Sequence, residues 1–580
     1  MKIDLKKHKA DLLFVPLGGA SEIGMNVSLY HLDGKWLMID LGLGFAHDLP
    51  GIDMLAPNIS FAKDHKKDIV GLILTHIHED HLGAVQHLWE ELRMPIYTSE
   101  FTANFLRAKL EEYSFARQVK IITINPEKNL NLKPFDIEFI GLTHSTPEMH
   151  AIMIKTEKGN ILHSGDWKFD PNPVIGKVSE KEKIKAYGDK KEILALVCDS
   201  TNALSPGHSG SEGELFDNLK ALIQGCKQMV GVTTFASNIA RVHTINEVAK
   251  ECGRKVVLCG FSLRRLVDVG KKSGYFKDSS NFISDKEARL YKRNEILVLS
   301  TGCQGEYLAA TNKFANDAHQ YIKFIAGDMI IFSSKIIPGN EKNIFNLFNK
   351  FAKKKIEVIT EKDHFVHVSG HPNQDELREM YDLAKPQISI PVHGEPVHIA
   401  HHCQIAEELG VSSVIQVENG SVVKLSSKDS QIIGTVTSGY FGVDGKQLIA
   451  LNGKVISQRR RLQDSGIVIA MIVINSVGKL LSDPYISSIG VYDFESDNSA
   501  FLMLEEQVIK TLNDNIKSLK LNSKIKGIKG KFFGKKQISK KEADKISKAA
   551  EKSVRAELNK IFKDLIGKKP LLDVIVKVVD

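Results

Sequence analysis

The densest chemistry in this 580-residue chain lies in nine residues, Thr75-His76-Ile77-His78-Glu79-Asp80-His81-Leu82-Gly83. Three imidazoles and the Asp80 carboxylate so close together form a metal-binding pattern, and with no thiolate among them they suit zinc or manganese. A buried apolar run ends at Thr75 and a helical pattern begins near Leu82, which puts the ligands on a strand-to-helix loop. There a rigid scaffold can aim side chains while the backbone turns freely. His76 and His78 would project to one ion; Asp80 and His81, beyond the turn, could face a second. Two ions with about four ligands each need further groups. His144, Asp166, Asp199 and His393 each stand at the C-terminal end of an apolar run. Asp166 is the natural bridge, because two carboxylate oxygens can span ions about 3.5–4 Å apart. His163 is expected within its strand, and Asp40 is expected to support the metal loop from behind.

Such groups need sheets to hold them. Strand patterns at 12–16, 27–32, 36–40 and 69–75 precede a helix at 82–92, and more strands follow at 96–98, 119–123, 135–141, 151–155, 160–163 and 194–198. This order suggests sheets covered by helices. After Pro206, helices at 214–226, 238–252 and 263–275 are separated by strands at 230–234, 256–259, 296–300 and 329–333, the signature of an inserted parallel α/β domain. Histidine-bearing runs at 356–360, 364–368, 388–392 and 414–417 read as the return to the first domain. A small α/β module closes the chain, with strands at 466–474 and 571–579 and helices at 498–512 and 542–565. The resulting plan is a first domain over 1–210, an insertion over 211–355, a return over 356–425, a linker over 426–460 and a terminal module over 461–580.

Composition narrows the classes. Apolar content of 42% and charged content of 26% exclude wholesale disorder. No apolar run approaches the roughly 18 residues of a membrane span, and the first residues lack a secretory apolar core, so no membrane association is expected. Six cysteines without a CxxC pair fit a reducing, cytoplasmic setting and argue against a cysteine zinc site. Residues 517–569 hold 17 Lys and one Arg against five acids, although the whole chain carries only +8. A basic module on a mildly acidic body suits a polyanionic partner such as nucleic acid, and equally a solvated helical face. Within it, 524–541 intersperses lysines with Gly527, Gly530 and Gly534, the texture of a mobile loop.

Further motifs stand at Gly18-Gly19-Ala20-Ser21-Glu22-Ile23-Gly24, Asp199-Ser200-Thr201-Asn202, Phe235-Ala236-Ser237-Asn238-Ile239, His367-Val368-Ser369-Gly370-His371 and Pro391-Val392-His393-Gly394-Glu395. Together with the metal loop, their order resembles the metallo-β-lactamase superfamily and, within it, the β-CASP nucleases of the ribonuclease J family, from about Leu12 to Glu418 and more weakly beyond. The resemblance implies an αββα metallo-β-lactamase sandwich with an inserted α/β β-CASP domain and a small C-terminal α/β domain. It implies two Zn2+ per chain, with Mn2+ or Mg2+ possible in their place. One would be held by His76, His78, His144 and Asp166, the other by Asp80, His81, Asp166 and His393. Asp80, Asp199 and His371 would be catalytic, and His367, Val368, Ser369, Gly370, His371 and Ser237 would bind substrate. Ser237 reads equally well as a helix N-cap. His393 points to RNA, since DNA-processing relatives usually carry valine there.

The implied reaction is hydrolysis of single-stranded RNA, 5′-to-3′ from a 5′-monophosphate with additional internal cutting, in RNA maturation and decay. Asp199 and His371 are not separated as proton donor and acceptor by their spacing. A homodimer or homotetramer and RNA-processing protein partners are implied in the same way. The alternatives are a small-molecule metallohydrolase of the superfamily and a DNA-processing β-CASP nuclease.

Overall fold

Strands whose apolar residues run without alternation must be covered on both faces, and Leu13–Gly18, Val27–Leu32 and Ile193–Asp199 are buried at every position. The computed structural model describes residues 3–46, 48–475, 479–525 and 540–579. The chain divides into two compact units, residues 1–47 with 53–448, and residues 48–52 with 449–580.

In the first unit, an eight-stranded sheet faces a seven-stranded one. Phe14, Tyr30, Leu37 and Ile39 of the first pack on Phe139, Ile152, Val197 and Ile390 of the second. Helices cover the outer faces. Val85–Leu92 buries Val85, Leu88, Trp89 and Leu92, one stripe at helical spacing, against the first sheet. Gln374–Ala384 buries Leu377, Met380 and Tyr381 against the second.

Parallel pairing decides where loops emerge. In the first sheet Lys35–Ile39 runs parallel to Ile69–Ile73. In the second, Asn160–His163, Ile193–Asp199 and Ile388–Val392 lie side by side and parallel, with Asp199 opposite Val392. The chain leaves this sheet after Ile193–Asp199 and re-enters it at the adjacent strand. Between them it builds a six-stranded, all-parallel sheet with its own core of Val298, Phe324, Ile330 and Phe351.

A buried ion pair marks the junction. Arg241 of helix Ile239–Glu251 is fully buried and bonds both carboxylate oxygens of Glu212, at 2.6 and 2.9 Å. It also donates to the Ser333 carbonyl and hydroxyl and to the Val366 carbonyl. One guanidinium thus joins the end of the first segment, the insertion and the returning chain.

Several expectations change. The run at 356–360 forms Glu357–Ile359, which pairs in parallel with Met329–Phe332 and completes the inserted sheet instead of opening the return. The reason is the preceding helix Glu341–Lys353, whose crossover delivers the next strand to the neighbouring edge. The run at 364–368 makes no strand; its Val366 carbonyl is satisfied by Arg241 and by the Ser333 hydroxyl in place of a ladder. The stretch expected as a linker over 426–460 is built in. Gln431–Thr435 extends the first sheet beside Ser421–Lys424, Tyr440–Asp444 pairs with Met54–Pro57, and Lys454–Ser465 is helical. Polar edge strands carry little apolar signal, because the sheet edge supplies their hydrogen bonds. The helix expected from 82 begins earlier, at Glu79–Leu82, and pauses before Val85–Leu92, where the Ala84 amide donates to Leu41.

In the second unit, Ile467–Asn475 lies between antiparallel Tyr485–Ile489 and parallel Leu571–Val579. Val468, Ala470 and Ile472 pack on Leu504 and Val508 of helix Asn498–Ile525 and on Val554 and Leu558 of Lys540–Ile566. Most of the lysine-rich loop expected over 524–541 lies outside the described residues.

Arg241→Met strands a buried Glu212 carboxylate, so it should lower unfolding free energy by about 3–5 kcal/mol in urea titrations. Pairing it with Glu212→Leu should recover most of that loss.

Candidate metal centre

Strand ends deliver the site. Ile39 and Ile73 are paired neighbours, so the residues just beyond them, Asp40 and Thr75-His76, emerge at one edge of the first sheet. Three adjacent parallel strands of the second sheet bring Asp166, Asp199 and His393 to its corresponding edge. His144 lies in the connection between antiparallel Phe135–Gly141 and His150–Lys155.

The side chains converge in overlapping sets whose potential ligand atoms all lie within 4.8 Å of one another: His76, His78, His144, Asp166; and Asp80, His81, Asp166, His393. Asp199 and His371 form a third set with Asp166 and His393. His81 Nε2 is 3.1 Å from Asp166 Oδ2, and His393 Nε2 is 3.0 Å from Asp80 Oδ2. His144 Nε2 and His78 Nδ1 face each other at 3.1 Å.

The donors are held from behind. His144 Nδ1 donates to the Gly370 carbonyl at 2.6 Å, which leaves Nε2 with a free lone pair. His81 Nδ1 meets Asp40 Oδ2 at 2.6 Å. The same Asp40 accepts from the Thr75 amide and hydroxyl, each at 2.8 Å, and so braces the loop as expected. His393 sits at φ +54°, a conformation costly for a residue with a β-carbon, and its amide donates to the Gly19 carbonyl at 2.6 Å. Gly370 is required where it stands, because a β-carbon there would lie 2.9 Å from the His144 ring.

Burial and charge divide the histidines. Burial pulls His76 and His144 well below the ordinary imidazole range, and His78 to about 4. Burial also pulls on His81 and His393, but Asp166 and the neighbouring carboxylates override it and raise both well above that range. Asp80 is opposed by burial yet held at about 2 by His81 and His393. His371 Nδ1 meets Asp199 Oδ2 at 2.8 Å; burial opposes its charge, but Asp199 and Asp166 raise its pKa.

The residues fit divalent cations. His76 Nε2 is buried without a hydrogen-bond partner, 3.9 Å from Asp166 Oδ2, and the surrounding donors are all nitrogen or carboxylate oxygen.

The other expected residues are placed as follows. His163 stays in its strand and bonds the Tyr30 hydroxyl at 2.9 Å, outside the three sets. Ser369 Oγ accepts from Asn202 and from the His371 amide, shaping the 367–371 turn beside His144. Val368 turns its side chain into the apolar core, so only its backbone could face a ligand. His367 is half-buried with an unpartnered, buried Nδ1. Ser237 precedes helix Ile239–Glu251, whose N-cap is Asn238 and not Ser237; the Asn238 side chain accepts from the Arg241 amide. Two contributors are not among the expected site residues. Thr201 links Asp199 and His393 at 2.6 and 2.7 Å, and its one sequence signal is its place beside Asp199. Asn26 donates to the Asp80 carbonyl at 3.1 Å from a distant strand start, with no sequence signal.

Known proteins resemble this chain along its length. Three family descriptions match in succession: "Metallo-beta-lactamase superfamily" over 23–222, "Ribonuclease J, beta-CASP domain" over 227–351, and "Zn-dependent metallo-hydrolase RNA specificity domain" over 355–417. Ribonuclease J of Sinorhizobium meliloti is 35% identical over 585 residues, covering 99% of this chain and 100% of that one. Ribonuclease J of Corynebacterium glutamicum is 34% identical, covering 86% of this chain and 70% of its own, and ribonuclease J2 of Bacillus subtilis is 32% identical, covering 85% and 89%. A crystal structure of an Enterococcus faecalis protein of unknown function shares the fold, with a TM-score of 0.51 and 16% identity over 72% of this chain and all of that one. Likeness that runs the whole length of both chains, through insertion and terminal unit alike, exceeds a shared fold, and the chain belongs to the ribonuclease J family of metal-dependent hydrolases.

Proposed function

We propose that the protein is a cytoplasmic, zinc-dependent ribonuclease that degrades single-stranded RNA 5′-to-3′ from 5′-monophosphate ends and also cuts internally, in RNA maturation and decay. The observation that carries this reading is the pair of buried ligand sets sharing Asp166, with His393 completing the second. Two ions per chain would be held there, the first by His76, His78, His144 and Asp166, the second by Asp80, His81, Asp166 and His393. Bound divalent cations supply Lewis acidity, bringing the pKa of water from about 15.7 toward about 7 and offsetting charge on a phosphoryl group. Asp80, ionised and clasped by His393, orients the attacking water in line with the P–O3′ bond. The Asp199–His371 pair delivers a proton to the departing O3′, so the shortened RNA keeps a 5′-phosphate. The 367–371 turn, with Ser369 and the Gly370 backbone, holds the terminal phosphate together with Ser237.

A cytoplasmic setting is supported by six free cysteines. Among the described residues no helix is long and apolar enough to cross a membrane. Domain limits near 1–210, 211–355, 356–425 and 461–580 are part of the same proposal, except that the limit at 355 moves past Glu357–Ile359, which completes the inserted sheet. A homodimer or homotetramer is supported by the terminal sheet. Its face away from the described helices aligns Tyr485, Met471 and Ile575 in one cross-strand row, 63%, 48% and 45% exposed, with Ile489 in the same strand as Tyr485. RNA-processing proteins are further proposed partners.

A 5′-monophosphorylated, uniformly labelled RNA should yield mononucleotides, and chelator should stop the reaction. His76→Ala or Asp80→Ala should abolish turnover with unchanged circular dichroism; full activity in either would end this reading. Zinc must displace the protons that Asp166 and its neighbours hold on His81 and His393, so its binding should release protons and tighten as pH rises. Calorimetry in buffers of different ionisation enthalpy reads this directly. Met471→Asp with Tyr485→Ser should shift sedimentation toward monomer while sparing activity per site.

A further inference from the structure

One carboxylate beside the centre has no part in the chemistry above. Glu148 lies in the same connection as His144, at φ +58°. Its Oε2 accepts from the Phe101 amide at 2.8 Å, in the first turn of helix Glu100–Leu110, where Ser99 provides no side-chain cap. Its Oε1 accepts from the Tyr275 hydroxyl at 2.7 Å. Tyr275 belongs to the inserted domain, just past helix Phe261–Lys272, and its ring stands edge-on to Phe101 with centroids 5.4 Å apart. Asn104–Ser273 and Arg265–Glu112 contacts, each at 3.0 Å, join the same two helices and the residues just past their ends. At the other end of Glu100–Leu110, buried Lys109 ion-pairs with Glu79, between His78 and Asp80. A single helix therefore meets the inserted domain along its length and the metal loop at its end.

We propose that Glu148 is a positioning residue that couples seating of the inserted domain to the order of the metal loop, with Tyr275 as its partner. A carboxylate over the first turn satisfies an amide the helix cannot, and suits the positive end of its dipole. The same carboxylate is oriented by Tyr275. When the inserted domain lifts, Glu148 loses that partner, its grip on Phe101 weakens, and the change passes along a rigid helix to Lys109 and Glu79. The metal loop is then best ordered when the domain is seated over the site, which favours cutting of enclosed strands. The activity part of this inference rests on the ribonuclease reading; the structural part does not.

Hydrogen–deuterium exchange of the full chain tests it. Tyr275→Phe and Glu148→Gln should each speed exchange across 76–82 by about threefold or more, whereas Asn104→Ala, which touches the inserted domain without touching Glu148, should not. In RNA hydrolysis both variants should lower kcat by about tenfold with KM within about twofold, and the double variant should be no worse than either single one. Unchanged exchange over 76–82, an equal response to Asn104→Ala, or losses that multiply in the double variant would overturn the coupling. An exchange response in a protein that never cuts RNA would uphold the coupling and remove the ribonuclease reading instead.

Discussion

Asp166 is the constraint around which the molecule is organised. Its carboxylate is 2% exposed and lies within 4 Å of His76, His81, His371 and His393. A buried carboxylate is tolerable only when charge or hydrogen bonds compensate it. Here the compensation comes from imidazoles carried by both sheets, so the two halves of the sandwich are electrostatically tied at one edge. The same shortage of solvent that makes the group costly suits it to hold a cation. Stability and chemistry draw on one interaction.

The inserted domain follows from the same edge. The chain that builds it leaves the second sheet after Asp199 and re-enters that sheet at Ile388–Val392, just before His393, so the excursion begins and ends beside the candidate centre. Parallel neighbours need a crossover, and here an entire domain serves as one. Arg241 pins that crossover by gathering Glu212, Ser333 and Val366 around a single guanidinium. A buried, fully bonded ion pair is a poor source of net stability but a good fixer of geometry, and geometry is what a cleft between two domains requires.

Much of the site could be read without coordinates. The His76–His81 loop carries its own spacing, and His144, Asp166, Asp199 and His393 each announce themselves by ending an apolar run. Strands such as Phe135–Gly141, Asn160–His163 and Leu571–Val579 match their apolar runs to the residue. The misreadings share a cause: Glu357–Ile359, the extended 364–368 segment and the strands after 430 are short or polar, and their identity depends on a partner elsewhere in the chain.

By itself the sequence determined the donor types, hence the class of ion they suit, because imidazole and carboxylate chemistry belongs to the residues wherever they stand. It also determined most strands, since local periodicity records which faces are covered. Only the tertiary structure decided that Asp166 lies among both ligand sets, that Thr201 and Asn26 hold the ligands and their loop in place, and that Glu148 reaches at once to a helix start and to Tyr275. These are distances between residues tens to hundreds of positions apart, and no local pattern encodes a distance that packing sets.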